Sequence, residues 1–124
     1  LVVLAPYGES GTQAYIFSTA SAVYVTAIGR TLATLADGRT AVTCLVDFGT
    51  TAGTVTVKVY VYNAATNVLI TSGTVATTAA HTQGTIALAG LSTLEVYFIV
   101  DMKTTAGTAT LWGFRAYEDA AALP

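Results

Sequence analysis

Charge is scarce in this chain. Lys, Arg, Asp and Glu make up only 10% of the 124 residues, against roughly 25% in an ordinary soluble domain. The formal net charge is −2, and the five cations, Arg30, Arg39, Lys58, Lys103 and Arg115, are scattered along the chain. No basic run or stripe exists to follow a phosphate backbone, which argues against nucleic-acid binding. The single cysteine, Cys44, excludes an internal disulfide, and one Cys with one His does not supply a structural zinc site. Long hydrophobic runs are missing too: Thr and Gly interrupt every apolar stretch well short of the ~18 residues a membrane helix needs. A membrane β-barrel would need more strands than fit here, with aromatic girdles the chain lacks. Neither Asn63 nor Asn67 lies in a glycosylation acceptor.

What is present is alternation. From Gly53 to Asn63, Val55, Val57, Val59 and Val61 share one face of a strand, and Thr56, Lys58, Tyr60 and Tyr62 share the other. Strand-like runs bounded by turn residues recur at about the 8–12-residue spacing of a sandwich or barrel. They cover residues 1–5, 14–18, 22–28, 31–35, 40–48, 54–62, 68–76, 85–88, 94–103 and 108–117. The fold expected is an all-β antiparallel sandwich of about 8–10 strands, jelly-roll-like or another Greek key. Residues 1–17 read as an N-terminal arm or first strands, 18–119 as the sandwich, and 120–124 as a tail. Because the chain opens on Leu1 and the apolar residues 1–5 are too short for a signal peptide, the expectation is a processed or partial N-terminus.

Turn chemistry suggests three hairpins. Asp37-Gly38 suits a tight turn between antiparallel partners, 63–67 a five-residue loop, and 104–107 a loop between the last two long strands. Gly53-Thr54-Val55-Thr56 recurs as Gly107-Thr108-Ala109-Thr110, each after Thr-Thr-Ala, and is read as shared strand-start chemistry. Leu94, Val96, Phe98, Val100 and Met102 form a core face. Trp112 and Phe114 are set against Leu111, Arg115 and Tyr117, with bulky groups on both sides. Together with Tyr60 and Tyr62 this predicts a contiguous apolar patch on an outer sheet, the kind of surface that marks interaction.

Catalytic chemistry finds little support. His81 with Ser72 or Ser92 lacks a nucleophile-elbow motif, and nothing in the sequence sets two of Glu9, Asp37, Asp47, Glu95, Asp101, Glu118 and Asp119 across a cleft. Asp47 or Asp101 has no Asp-rich loop around it to hold calcium, and Glu118-Asp119 reads as a solvated chain end. Cys44 reads as a small buried hydrophobe. No enzyme, metal or cofactor is implied. The candidate site is therefore aromatic: Tyr60, Tyr62, Tyr97, Trp112, Arg115 and Tyr117. These read first as core or subunit interface, where Tyr and Trp are enriched. Second, they read as a platform for a sugar's apolar face, with Asn63, Gln83 or Arg115 giving directional hydrogen bonds.

The stretches 53–63 and 107–118, joined by 88–98, resemble tailed-bacteriophage virion proteins, the small Thr- and Ala-rich β-sandwiches that decorate capsids or sit on tails. The resemblance spans roughly residues 41–119. It implies a noncatalytic capsid-decoration or tail-associated subunit of the virion, self-associating as a trimer or larger and contacting other virion proteins. The alternatives are a carbohydrate-binding module recognising surface glycans, secreted or at the cell surface, and a filament subunit whose N-terminal arm adds a strand to its neighbour.

Overall fold

A computed structural model describes residues 16–35, 39–91 and 95–118. Six strands run through them: β1 (Phe17–Thr19), β2 (Val25–Thr34), β3 (Val42–Asn63), β4 (Leu69–Thr77), β5 (Thr82–Leu88) and β6 (Glu95–Glu118). All pair antiparallel. Two of them decide the architecture, because β3 has 22 residues and β6 has 24, several times the usual ~5–6. They pair along their whole length, from Val42 opposite Glu118 to Asn63 opposite Val96.

A ribbon that long folds on itself to bury its apolar face. The first half of β3 and the second half of β6 carry β5 and β1 at their sides and form layer I. The other halves carry β4 and β2 and form layer II. Each layer holds four strand segments, giving the expected antiparallel sandwich. Between them lies one core in which Val55, Val57, Val59 and Val61 are fully buried and Phe98 of layer II meets Phe114 of layer I edge-on at 6.3 Å. Each such side chain contributes about 1.5–3 kcal/mol on burial. Cys44 sits in this core, and burial pushes its thiol up to about 12.

The bend occurs where the two Thr-Thr-Ala-Gly-Thr segments cross. Gly53 and Gly107 take positive φ values of 67° and 65°, which glycine adopts without steric cost. A Cβ on Gly53 would meet the Thr105 hydroxyl and Ala106, and one on Gly107 would meet the Thr51 hydroxyl and Ala52. The hydrogen bonds are reciprocal. Thr54 N–H donates to Thr105 Oγ1 (2.9 Å) and Thr108 N–H to Thr51 Oγ1 (2.8 Å), while Thr50 and Thr104 each donate to the carbonyl two residues on at 2.7 Å. The recurrence is thus a two-fold corner and not a strand start.

The same exchange relates the whole fold. β1 lies on β6 as β4 lies on β3, and β2 lies on β6 as β5 lies on β3. The sequence repeats in step: Val42, Val46, Asp47 and residues 50–54 recur as Val96, Val100, Asp101 and residues 104–108. The sandwich is built from two equivalent three-strand units.

Several expected connections change accordingly. Residues 104–107 are not a hairpin loop, since β6 continues through them in register with β3. Residues 22–28 and 31–35 do not form two strands; β2 spans most of both, with register shifts between Thr26 and Thr31. The Asp37-Gly38 turn lies outside the described residues, but the strands flanking it are not partners. β2 pairs with β6 in layer II, whereas β3 begins in layer I. The 63–67 hairpin is present, closed by Asn63 N–H on Val68 O at 2.9 Å and by Asn67 at φ 59°. The expected strand at 1–5, most of the N-terminal arm, Leu94 and the tail after residue 118 lie outside the described residues.

Candidate binding site

The outer face of layer I carries the most built arrangement, and it begins with an irregularity in β6. Asp47 pairs with Gly113 and Phe48 with Leu111, so Trp112 is an extra residue opposite no partner. Such a bulge shifts the alternation by one. Leu111 and Phe114 therefore both point into the core, fully buried, and Trp112 turns outward. The expectation that Trp112 and Phe114 share a face is corrected by this single inserted residue.

A second constraint brings His81 onto the indole. The β4–β5 connection lies against Gly49, where any Cβ would strike the Ala80 carbonyl, and is tied down by Thr50 N–H donating to Ala79 O at 2.9 Å. His81 leaves this connection stacked on Trp112, with ring centroids 4.1 Å apart and planes at 24°. Its Nε2 lies 3.2 Å from Asp47 Oδ1, which projects from the neighbouring β3. Asp47, His81 and Trp112 thus come from three different segments of the chain. Beside them opens a groove of about 220 Å³ lined by Gly49, Thr50, Thr51, Ala80, Thr108, Thr110 and Trp112. Its chemistry is one indole wall with small residues and threonines around it. Gln83, opposite Asp47, is exposed on the same face. Arg115 and Tyr117 lie further along it, with the guanidinium 5.7 Å from the phenol ring centre.

The other expected site residues are on the opposite surface. Tyr60, Tyr62 and Tyr97 stand on the outer face of layer II, so the predicted contiguous patch does not exist. The six residues divide between two outer faces separated by the core. On layer II, Tyr62 and Tyr97 are cross-strand partners stacked at 4.9 Å and 8°, and Tyr60 continues the row at 6.4 Å from Tyr62. Cations cover both ends: Arg30 lies 4.3 Å from the Tyr97 ring centre, and Lys58 lies 4.8 Å from that of Tyr60. Lys103 lies 4.6 Å from the ring of Tyr24, whose hydroxyl is pushed up by burial, with Lys58 opposing and Tyr60 and Asp101 adding to the shift. The Tyr97 hydroxyl donates to Asn67 Oδ1 at 3.2 Å. Ring faces here are taken up by one another and by cations, so the row presents edges and hydroxyls. Leu69 and Leu32, 45% and 63% exposed, flank Tyr62 and Tyr97 in the same row across the sheet.

The remaining candidates separate. Asn63 Oδ1 accepts from Ala65 and Thr66 N–H within its own turn. Ser72 is exposed on β4 opposite Tyr60, in the layer away from His81, and Ser92 lies outside the described residues. Among the described residues no three of His, Cys, Asp and Glu come together as metal ligands would. Sequence reasoning missed the placement of His81 against Trp112 and Asp47. The available signal was Gly49, a glycine inside a strand, which marks a close approach of another backbone.

Neither a protein-family model nor a curated protein sequence matches this chain. Solved structures do resemble it in fold. One is the carbohydrate-binding module CBM6cm-2 of Cellvibrio mixtus lichenase 5A in complex with cellotriose: 13% identity, TM-score 0.56, covering 95% of this chain and 99% of that one. A second is TmCBM61 in complex with β-1,4-galactotriose, at 15% identity and TM-score 0.51 over 73% of this chain. A third is VP2 of infectious bursal disease virus in a subviral particle, at 14% identity and TM-score 0.54 over 93% of this chain. The present chain spans 61% of the galactotriose-bound module and 32% of VP2. At these identities the likeness is one of fold: a β-sandwich shared by carbohydrate-binding modules and a viral capsid protein.

Proposed function

We propose that this chain is a noncatalytic β-sandwich recognition module that binds neutral carbohydrate in the layer I groove. The supporting observation is the bulge that turns Trp112 outward beside Thr50, Thr51, Thr108 and Thr110. An indole packs against the C–H face of a sugar ring, and short hydroxyl and backbone groups orient its hydroxyls. The likeness to a module solved with cellotriose over nearly its whole length makes β-linked glucans and galactans the first ligands to try. A glycan array followed by calorimetry is the test. Binding that disappears in Trp112→Ala and persists in Tyr62→Ala supports the reading; an array without signal, or binding indifferent to Trp112→Ala, removes it.

A second reading has its own observation. Leu69 and Leu32 stand exposed on either side of the stacked Tyr62 and the buried Tyr97, on layer II of a chain with very little charge, and exposed leucines grouped around packed aromatic rings are the kind of surface through which proteins make contact. It favours a structural subunit of a virion, decorating a capsid or tail and packing on neighbours through layer II. Sedimentation at several concentrations and two salt strengths tests it. A salt-resistant assembly that Leu32→Ser with Leu69→Ser reduces to monomer is the expected result. An assembly unchanged by those substitutions counts against layer II as the interface.

A further inference from the structure

We infer that His81 is a proton-controlled clamp on Trp112, and that Asp47 holds the clamp in place, so that protonation of one imidazole sets the shape of the groove. The inference deepens the carbohydrate reading by assigning a positioning residue and a regulation to that site.

Three observations carry it. The imidazole stacks on the indole at 4.1 Å, and the same ring reaches Asp47 at 3.2 Å. His81 is 45% exposed, so a proton reaches it from solvent without unfolding. The connection that delivers it is anchored next door at Gly49 and Thr50, and Ala80 of that connection is itself a wall of the groove. Neutral imidazole offers Asp47 one hydrogen bond and Trp112 a simple stack. Imidazolium offers a charge-assisted bond to the carboxylate and a cation over the indole face. Both contacts strengthen together, because the proton goes to the one ring that makes them. Trp112, on which the imidazole stacks, and Ala80, the chain neighbour of His81, both line the groove, so a stronger clamp holds these two walls in place.

The imidazole has Asp47 Oδ1 as its polar partner. Elsewhere on the strands of layer I, Leu45 and Thr43 of β3, Gln83 and Thr85 of β5 and Ser18 of β1 carry no titratable group. On β6 stand Arg115 and Tyr117, with the guanidinium 5.7 Å from the phenol ring centre. Arg115 is opposite Leu45, beyond the row that holds Asp47 and Gly113.

The test is direct because the chain has one tryptophan and one histidine. The intrinsic fluorescence of the full chain is followed between about pH 5 and 8, the range in which an imidazole changes charge, with acrylamide as external quencher. We expect Trp112 emission to fall and acrylamide access to drop on acidification. The transition should vanish in His81→Gln and lose amplitude in Asp47→Asn, with circular dichroism unchanged in both. Cellotriose affinity should be roughly threefold to tenfold higher at the acid end, in keeping with a cation–π contact and an exposed ion pair acting together. A flat wild-type profile, or a transition that survives His81→Gln, overturns the clamp. A His81-dependent fluorescence transition without cellotriose binding leaves the clamp standing and sinks the cellotriose arm of the functional reading, so the two failures are distinguishable.

Discussion

The two outer faces rest on equivalent frames yet present opposite kinds of surface. In the three-strand repeat, Lys58 of β3 occupies the place of Trp112 in β6, and Asp101 that of Asp47. On layer II the ladder runs from Val57 opposite Met102 through Lys58 opposite Asp101 to Val59 opposite Val100 without interruption. Its outer side chains therefore stand in a regular row and stack on one another as a tyrosine ladder. On layer I one extra residue at Trp112 breaks the ladder. The indole leaves the row, meets a histidine from a different connection, and borders a groove. One frame thus yields a self-packed face and an open one, and within the central β3–β6 ladder the difference is the bulge at Trp112.

That contrast can be broken most severely at the shared corner. Gly53→Val and Gly107→Val each place a β-branched side chain at positive φ against the opposite Thr-Thr-Ala segment. Each should cost more than about 3 kcal/mol or prevent folding, and denaturant melts should return similar losses for both if the two units are equivalent. Next in size is the inside-versus-outside pair created by the bulge. Phe114→Ala should lose about 3–5 kcal/mol as a core truncation. Trp112→Ala, a half-buried outer residue, should lose under ~1.5 kcal/mol, and carbohydrate binding is the property it should abolish. Comparable melting losses for the two would mean the bulge does not separate them.

A smaller effect concerns Cys44, a strand residue in the core of layer I whose equivalent in layer II is Phe98. Its folded thiol is raised from 9.0 to about 12 by burial. The folded state therefore keeps a proton that the unfolded chain releases. This contribution is complete below pH 9 and is lost progressively between about pH 9 and 12. Cys44→Val should flatten that alkaline decline, and wild-type protein should resist thiol alkylation at pH 8 until denaturant is added. The smallest expected change in stability is in the exposed row: Leu32→Ser with Leu69→Ser should alter melting by about 0.5 kcal/mol or less, while sedimentation reports whether that row holds copies together.

Much of this was legible in the chain. Strict alternation of Val55, Val57, Val59 and Val61, and of Val96, Phe98, Val100 and Met102, identifies buried faces because a strand's side chains have a period of two. The turn at Asn63 was readable because asparagine at both ends satisfies a short loop through its own side chain and positive φ. The corner was present as a repeated pentapeptide, yet it imitates a hairpin, and only the crossing of the two copies tells a bend from a turn. Trp112 was recognised as a candidate, but its direction was not, since period-two reasoning assumes an unbroken ladder and a bulge is a property of two strands.

The sequence by itself determined the class of fold, the inner faces of the strands whose alternation is unbroken, the lack of a metal or phosphate-binding motif, and the residue types from which a site can be made. Those depend on local patterning and composition, which act along the chain. Tertiary structure alone decided that the aromatic residues divide between two surfaces and that two long strands serve both layers. It also decided that Asp47, His81 and Trp112 meet. Such contacts join residues distant in sequence, and their geometry is set by strand register and by the close approach at Gly49, which no single segment encodes.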